Sequence, residues 1–440
     1  ANLKGIAHRS LAIRSCQVSR RTTALAGPDG EGPVSDPLKI GLLGRGTVGS
    51  ALEELVAERR SEIEAACGRP FEIAGVLTTS EGDFDQILAE SEVIVELIGG
   101  VDDARRYVLA ALESGKPVVT ANKQLVARYG DELFAAAAAA GTELRFEAAV
   151  AGVVPIIRTI REAFGSVPFT RVFGIVNGTT NFILTEMAST GASYEEALSR
   201  AQELGYAEAD PTEDVNGADA AAKMAILARL AFHAPVTLDQ VSFEGIESVQ
   251  PDDLAYAREL GLSLKLLGVA ERLEGGLTVR VFPCFLYPGH PLAPVEGPFN
   301  AVTVEAPEIT EVTVSGPGAG GPQTAAAVLG DLISIVDAGG GGEPVESEIP
   351  VLDAVESSFY LHLEVEDVPG VLAEVARLLA SSGVSVRSVV QKGMGDEARL
   401  VMVVHRCPED AFLTAVAEIA GLDYMRSPPR FIRVIEEEFV

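Results

Sequence analysis

Short apolar runs alternate with longer stretches of helical periodicity over the first third of the chain. Residues 38–43 (LKIGLL) read as a buried strand, and after the glycines that follow comes an amphipathic stretch of about twenty residues with helical spacing. FEIAGVL (71–77) and EVIVELI (92–98) predict two more strands. DARRYVLAALESG (103–115) predicts a helix, PVVTA (117–121) a strand, 123–140 a helix ending in an alanine run, and ELRFEAAV (143–150) a further strand. Strands alternating with helices at this spacing imply a doubly wound, parallel α/β sheet.

The pattern changes after Pro155. Helices separated by longer gaps alternate with strands such as TRVFGIVN (170–177), LTVRVFPCFL (277–286) and AVTVEA (301–306), which predicts an α+β unit with an open mixed sheet and helices on one side. PQTAAAVLGDLISIV (322–336) predicts a helix that returns to the first domain, and AGGGGEPVESE (338–348) has linker composition. Residues 358–440 then read strand, helix, strand, strand, helix, strand, the ferredoxin-like order.

Charge narrows the partners. The chain carries 64 acidic and 34 basic residues, a formal net charge of −30. That balance argues against nucleic acid and anionic membrane surfaces, both of which attract Lys and Arg. No apolar run reaches the length of a membrane span. Cys16, Cys67, Cys284 and Cys407 lie far apart without ligand spacing, so no disulfide framework or zinc site is expected, and a reducing cytoplasm is the default location. Residues 1–28 hold Lys4, Arg9, Arg14, Arg20 and Arg21 with no acid. A transit peptide has that bias, but the helical amphipathicity is poor, and 1–37 is expected to be a disordered tail.

Four stretches carry candidate chemistry. Gly44-Arg45-Gly46-Thr47-Val48-Gly49 follows a strand and opens a helix, where glycines let a dinucleotide pyrophosphate approach the helix N-terminus. The second strand ends in Thr78-Thr79-Ser80 with no acid at its tip; small hydroxyls there, with Arg45, suit a 2′-phosphate, which points to NADP over NAD. Thr120-Ala121-Asn122-Lys123 stands at a strand's carboxyl end, where open α/β sheets bind ligands. With only seven lysines against 27 arginines, Lys123 and Lys223 are conspicuous, although a helix-start lysine is ordinarily just solvated.

Asp219 and Lys223 are four residues apart on a helix of small and apolar residues, so they share one face. An exposed pair of this kind is worth little. On a helix packed all round, the pair instead faces a cleft, where a lysine can exchange a proton with a hydroxyl or carbonyl oxygen. The carboxylates of Glu208, Asp210, Glu213 and Asp214 just upstream suit an ammonium group. Finally, Glu147 beside the irregular Val150–Pro155 segment offers oxygen ligands to a hard cation, while a hinge is the simpler reading.

These motifs together resemble homoserine dehydrogenase with a C-terminal ACT domain, over about residues 38–440. The resemblance rests on G-R-G-T-V-G (44–49), G-K-P-V-V-T-A-N-K (115–123), P-I-I-R-T-I-R-E (155–162) and N-G-T-T-N-F-I-L (177–184). It continues in L-G-Y-A-E-A-D-P-T-E-D-V (204–215), G-H-P-L-A (289–293) and G-P-G-A-G-G (316–321). It implies a Rossmann-type domain over 38–152, a substrate-binding and dimerisation domain over 153–321, a returning helix at 322–337, a linker at 338–357 and an ACT domain at 358–440. The implied reaction interconverts L-homoserine and L-aspartate 4-semialdehyde with NAD(P)H.

The resemblance also implies roles. Lys223 is the proton donor and acceptor, and Lys123 lies by nicotinamide and substrate. Glu208 binds the substrate amino group, with Asp214, Asp219, Gly178 and Thr179 building the pocket and Asp210 and Glu213 left as ordinary loop acids. Gly320 joins the Gly44–Gly49 loop in holding the cofactor. A monovalent cation, sodium, is implied at Glu147 and the carbonyls of Val150, Gly152 and Val154, although Gly152-Val153-Val154-Pro155 departs from the usual motif there. A threonine effector is implied at Asp367, Pro369, Gly370, Val371 and Leu372, with a plain dimerisation module as the alternative. The assembly is expected to be a homodimer or homotetramer. A related amino-acid dehydrogenase and a non-catalytic amino-acid sensor are the competing readings.

Overall fold

A computed structural model of the chain describes residues 36–336, 356–392 and 398–434, in two compact units. Nearly all of the expected N-terminal tail and linker lies outside the described residues.

The first unit begins with strand β1 (Leu38–Leu43), whose burial is almost continuous, as befits a strand covered on both faces. Helix α1 (Thr47–Glu58) follows, then α2 (Arg60–Cys67). The single long helix expected here is broken at Arg59, whose backbone (φ −104°, ψ 24°) leaves the helical region. The chain continues through β2 (Phe71–Leu77), α3 (Phe84–Glu90), β3 (Val93–Glu96), α4 (Asp102–Glu113), β4 (Val118–Thr120), α5 (Lys123–Ala140) and β5 (Leu144–Arg145). These strands form a parallel sheet in the order β2-β1-β3-β4-β5.

The strand expected over 143–150 stops after two residues. Phe146 (φ −157°, ψ 34°) ends it, and Glu147–Ala149 form a 3-10 turn. Three hydrogen bonds hold that turn. The Glu147 N–H donates to Asp331 (2.8 Å), and the Glu147 carboxylate accepts the N–H groups of Ile157 and Arg158 (2.8 Å each). The chain then passes through Ala151 and Gly152, both at positive φ (60° and 65°), into a short helix α6 (Ile156–Arg158) and a π-helical turn, Thr159–Ala163.

Beyond it lie β6 (Arg171–Ile175), α7 (Gly178–Thr190), α8 (Tyr194–Glu203), α9 (Thr212–Val215), α10 (Ala218–Phe232), β7 (Ser242–Phe243), α11 (Pro251–Glu259), β8 (Ser263–Leu273), β9 (Gly276–Leu286), β10 (Phe299–Ala306), β11 (Thr310–Pro317) and α12 (Gly321–Val336). The second sheet has the order β11-β10-β6-β8-β9-β7, antiparallel except where β7 meets β9. Helix α10 lies on this sheet because Gly268 of β8 has no side chain, and a Cβ there would run into the Met224 side chain. Helix α12 packs on α1, where Ala325, Val328 and Leu332 join Ile40, Leu42 and Leu52 in one core.

The second unit comprises β12 (Glu356–Glu364), α13 (Val371–Ser381), β13 (Val386–Lys392), β14 (Arg399–Pro408), α14 (Glu409–Ala420) and β15 (Arg430–Val434). Its antiparallel sheet runs β13-β14-β12-β15, the ferredoxin-like arrangement expected. Phe359 and Phe412 stack at 3.9 Å in its core.

Candidate active site and cofactor cleft

Two helices supply the central charges. Asn122 caps α5, its side chain accepting the Leu125 N–H at 3.0 Å, and this sets Lys123 at the first helical position. Helix α10 starts from left-handed Gly217 and presents Asp219 within its first turn and Lys223 one turn later. The structure brings all three side chains together. Asp219 is fully buried; one carboxylate oxygen meets the Lys123 ammonium and the other accepts from Lys223 at 2.7 Å. Lys223 also donates to the Val176 carbonyl at 2.8 Å. An ammonium has three N–H donors, so Lys223 keeps one for a third oxygen.

The electrostatics follow from one acid set between two cations. Burial works against an ionised Asp219, but the charges of Lys223 and Lys123 outweigh it and hold the carboxyl far below the usual carboxylate range. Burial likewise works against the Lys123 cation, yet Asp219, with Asp214 and Glu213 further off, holds it above the ordinary lysine value. Asp214 moves the other way: burial and the neighbouring Asp219 charge raise it, against the Asn177 amide and the two lysines.

Asn177 ties this cluster to α7. Its amide donates to Asp214 (2.7 Å) and to Asp219 (2.8 Å), while its carbonyl oxygen accepts the Thr180 N–H (2.8 Å). Gly178 opens the helix where a Cβ would meet the Pro298 carbonyl at 2.6 Å. Thr179 donates to the Tyr206 carbonyl at 2.7 Å, joining α7 to the loop before Glu208. Glu208 itself is exposed, and among the described residues its carboxylate has no hydrogen-bond or ion-pair partner; its main-chain carbonyl is engaged by Gln202. Glu213, expected to be an ordinary loop acid, faces Gln124 of α5 at 3.5 Å and adds its charge to that around Lys123, whereas Asp210 only caps Thr212.

The glycine turn builds the cofactor cleft. Gly44 sits at φ 103° with its N–H on the Leu77 carbonyl (2.8 Å), and a Cβ there would lie 2.6 Å from the Leu97 carbonyl. Gly46 precedes α1, leaving the Thr47, Val48 and Gly49 amides at the helix N-terminus. A cavity of about 710 Å³ runs from Gly44, Arg45 and Gly46 to Thr78 and Thr79, and a second, of about 300 Å³, from Val48 and Gly99 to Asn122 and Lys123. Arg45 leans on Glu53 through one nitrogen (2.8 Å) and is otherwise exposed. Gly320 (φ 136°) precedes α12, whose first residue, Gly321, lies against Thr47.

Sequence reasoning missed Glu96. It ends β3, is fully buried, and accepts a hydrogen bond from the Thr120 hydroxyl, which in turn accepts the Asn122 N–H at 3.0 Å. Burial pushes its carboxyl up to about 7, against the hydrogen bonds it receives. The available signal was an acid inside an apolar run, EVIVELI. Asn177 was quoted within a motif but given no role, since its partners are distant in sequence.

Around the hinge, Glu147 is buried, and burial raises its carboxyl to about 7 against its two backbone donors. Among the described residues, no group of three or more His, Cys, Asp or Glu side chains is arranged to hold a metal ion. In the second unit, Asp367, Val368, Pro369, Gly370, Val371 and Leu372 line a cavity of about 370 Å³ at the N-terminus of α13.

Comparison with known proteins agrees with this geometry. Residues 44–147 match the family model described as the NAD-binding domain of homoserine dehydrogenase, 155–333 that of homoserine dehydrogenase, and 360–423 that of the ACT domain. A homoserine dehydrogenase of Corynebacterium glutamicum is 43% identical over 407 residues, covering 86% of this chain and 91% of that one. The crystal structure of a homoserine dehydrogenase from Thiobacillus denitrificans superposes with a TM-score of 0.67 at 37% identity, covering 90% of this chain and 98% of its own. A hyperthermophilic archaeal homoserine dehydrogenase in complex with NADPH superposes with a TM-score of 0.56 at 27% identity, over 68% of this chain and 98% of its own.

Proposed function

Because the chain belongs to the homoserine dehydrogenase family, and is an oxidoreductase interconverting L-homoserine and L-aspartate 4-semialdehyde with a nicotinamide cofactor, we propose that Lys123, Asp219 and Lys223 carry its proton chemistry. The observation behind this is the single buried carboxylate that takes both ammonium groups. Asp219 aims both lysines at one point between α5 and α10.

A reduced nicotinamide held at the glycine turn would supply the hydride for the aldehyde carbon. The aldehyde oxygen then needs one proton, and the spare N–H of Lys223 delivers it, directly or through one water. The Lys123 ammonium steadies the negative charge that grows on the same oxygen. In the reverse direction a neutral Lys223 takes the hydroxyl proton of homoserine. Asp214 and Glu208 receive the substrate ammonium, Glu208 from the exposed loop that Thr179 tethers. Gly178 lets the α7 N-terminus approach the substrate without a side chain in the way.

Cofactor preference follows from Arg45, Thr78 and Thr79. No acid stands at the tip of β2 to hold a ribose 2′-hydroxyl, and Arg45 has free nitrogens for a 2′-phosphate, so NADP is the preferred form. The turn at Gly44–Gly49 and the Gly320 loop would hold the pyrophosphate at the start of α1. A sodium ion would take the Glu147 carboxylate, which already accepts the Ile157 and Arg158 N–H groups, together with the main-chain carbonyls of Val150, Gly152 and Val154, all hard oxygen donors. The ion would brace the hinge between the two sheets. Threonine fits the cavity at Asp367–Leu372, its carboxylate toward the free amides of α13. The working assembly is a homodimer or homotetramer.

Initial rates with homoserine and either NAD or NADP, with and without threonine, test the cofactor and effector assignments together. Lys223→Ala tests the chemistry: turnover is lost while cofactor binding stays near the wild-type level, and unchanged turnover would refute the assignment.

A further inference from the structure

Helices α5 and α10 meet the substrate at their N-terminal ends. Further along, the middle of α5 and the C-terminal end of α10 meet at a separate cavity of about 470 Å³, within the size range of small-molecule sites. Asp131 and Phe134 enter it from α5, about two to three turns beyond Lys123, and Arg229 and His233 from the C-terminal end of α10. Its third wall is the π-helical turn Thr159–Ala163 with Phe164, whose N–H bonds back to the Thr159 carbonyl at 3.0 Å.

Three independent features mark this cavity. The first is its charge. In a chain of net charge −30, its lining holds Arg161, Arg229 and His233 against the single acid Asp131, and that acid is already paired with Arg229. Arg161 makes no ion pair among the described residues; its guanidinium stands 5.9 Å from the Phe146 ring. The second is its backbone. Single π-helical turns are rare and concentrate at functional sites, and His233 holds a left-handed conformation (φ 50°, ψ 38°) that side chains other than glycine seldom adopt. The third is its apolar wall, where Phe164 and Phe169 pack edge to face at 6.3 Å beside Phe134.

We propose that this cavity is a regulatory site for a small monocarboxylate with a compact apolar body. The carboxylate meets Arg161 and the His233 ring N–H, and the body lies against the phenylalanine rings. The site is built to act on the active centre. The Arg229–Asp131 ion pair is a direct link between α10 and α5, and Arg229 is otherwise anchored on the Val236 carbonyl at 2.9 Å. A ligand carboxylate competes with Asp131 for Arg229, loosens that link, and changes how the near ends bring Lys123 to Asp219. The coupling, though not the binding, rests on the assignment of the two lysines above, so the two are measured separately.

The probe is 3-phenylpropionate, with 3-phenylpropanol as its neutral analogue, and the protein is the full chain. Binding is followed by calorimetry and by the rise in unfolding temperature, coupling by kcat and KM for homoserine. The expected result is saturable millimolar binding of the acid, about tenfold weaker for the alcohol and for Arg161→Ala. It includes a change in kcat of about twofold or more at saturation with the KM for homoserine unchanged. Arg161→Ala keeps its basal kcat and loses the response, and Arg161→Lys restores it in part. Absence of saturable binding, equal binding by Arg161→Ala, or a rise in KM alone, which would mean competition at the substrate pocket, each overturns the proposal. Binding with the same charge dependence but no change in kcat overturns the coupling and leaves an uncoupled carboxylate site.

Discussion

Replacing Glu96 by Gln isolates one buried titration. Burial raises the folded-state value of this carboxyl from 4.5 to about 7. The folded protein therefore holds the Glu96 proton more tightly than the unfolded chain does. Between pH 4.5 and 7 the unfolded chain has released that proton and the folded protein has not, so stability falls as pH rises through this window and levels off above it. A gap of about 2.5 units at 1.36 kcal/mol per unit comes to about 3 kcal/mol. That contribution is fully present below pH 4.5 and lost above pH 7. Glutamine keeps the shape, still accepts from the Thr120 hydroxyl, and does not titrate. The stability of Glu96→Gln relative to the wild type should thus climb by about 3 kcal/mol from pH 4.5 to pH 8. Urea unfolding midpoints of both proteins at four pH values across this range measure it. Glu147 is raised in the same way, but it titrates in both proteins and cancels in the difference. Parallel stability curves for the two proteins would refute a buried, proton-holding Glu96.

Three further outcomes test the site. Asp219→Asn removes the one carboxylate that both lysines share and leaves only Asp214 and Glu213 further off; kcat at pH 7 should drop about 100-fold, near 3 kcal/mol, with cofactor affinity little changed. A kcat within threefold of wild type would show that Asp219 is dispensable. Glu208→Gln should raise the KM for homoserine with kcat nearly constant, and a pure kcat loss in steady-state assays contradicts its binding role. Arg45→Ala should raise the KM for NADP about tenfold and leave that for NAD nearly unchanged; equal changes for both cofactors would remove the 2′-phosphate from its role.

The parallel sheet was legible because its strands are continuous apolar runs, and α10 because small residues surround Lys223 on every side. Local spacing also placed Asp219 beside Lys223, since four residues on a helix span one turn. It did not place Lys123 on the other oxygen of Asp219, a contact between helices nearly a hundred residues apart. The end of β5 was misread because Phe146 and Glu147 are compatible with a strand. What stops the strand is Asp331, 184 residues away, and the Ile157 and Arg158 amides beyond the next turn. Glu208 was picked out by motif, and the structure leaves its carboxylate in solvent.

The packing of α12 on α1 has a consequence for biosynthesis. The apolar surface of Leu42, Leu52 and their neighbours is covered by a helix that ends about 280 residues after α1 does. At about 5–20 residues per second, a ribosome takes roughly 15 s to 1 min to make that stretch. From the completion of β5 to the end of that interval, the nascent first sheet stands with one flank bare. Its closure waits until nearly everything that binds substrate has emerged, so a message cut short inside the second sheet yields a chain with its nucleotide half unsealed and open to chaperones and proteases.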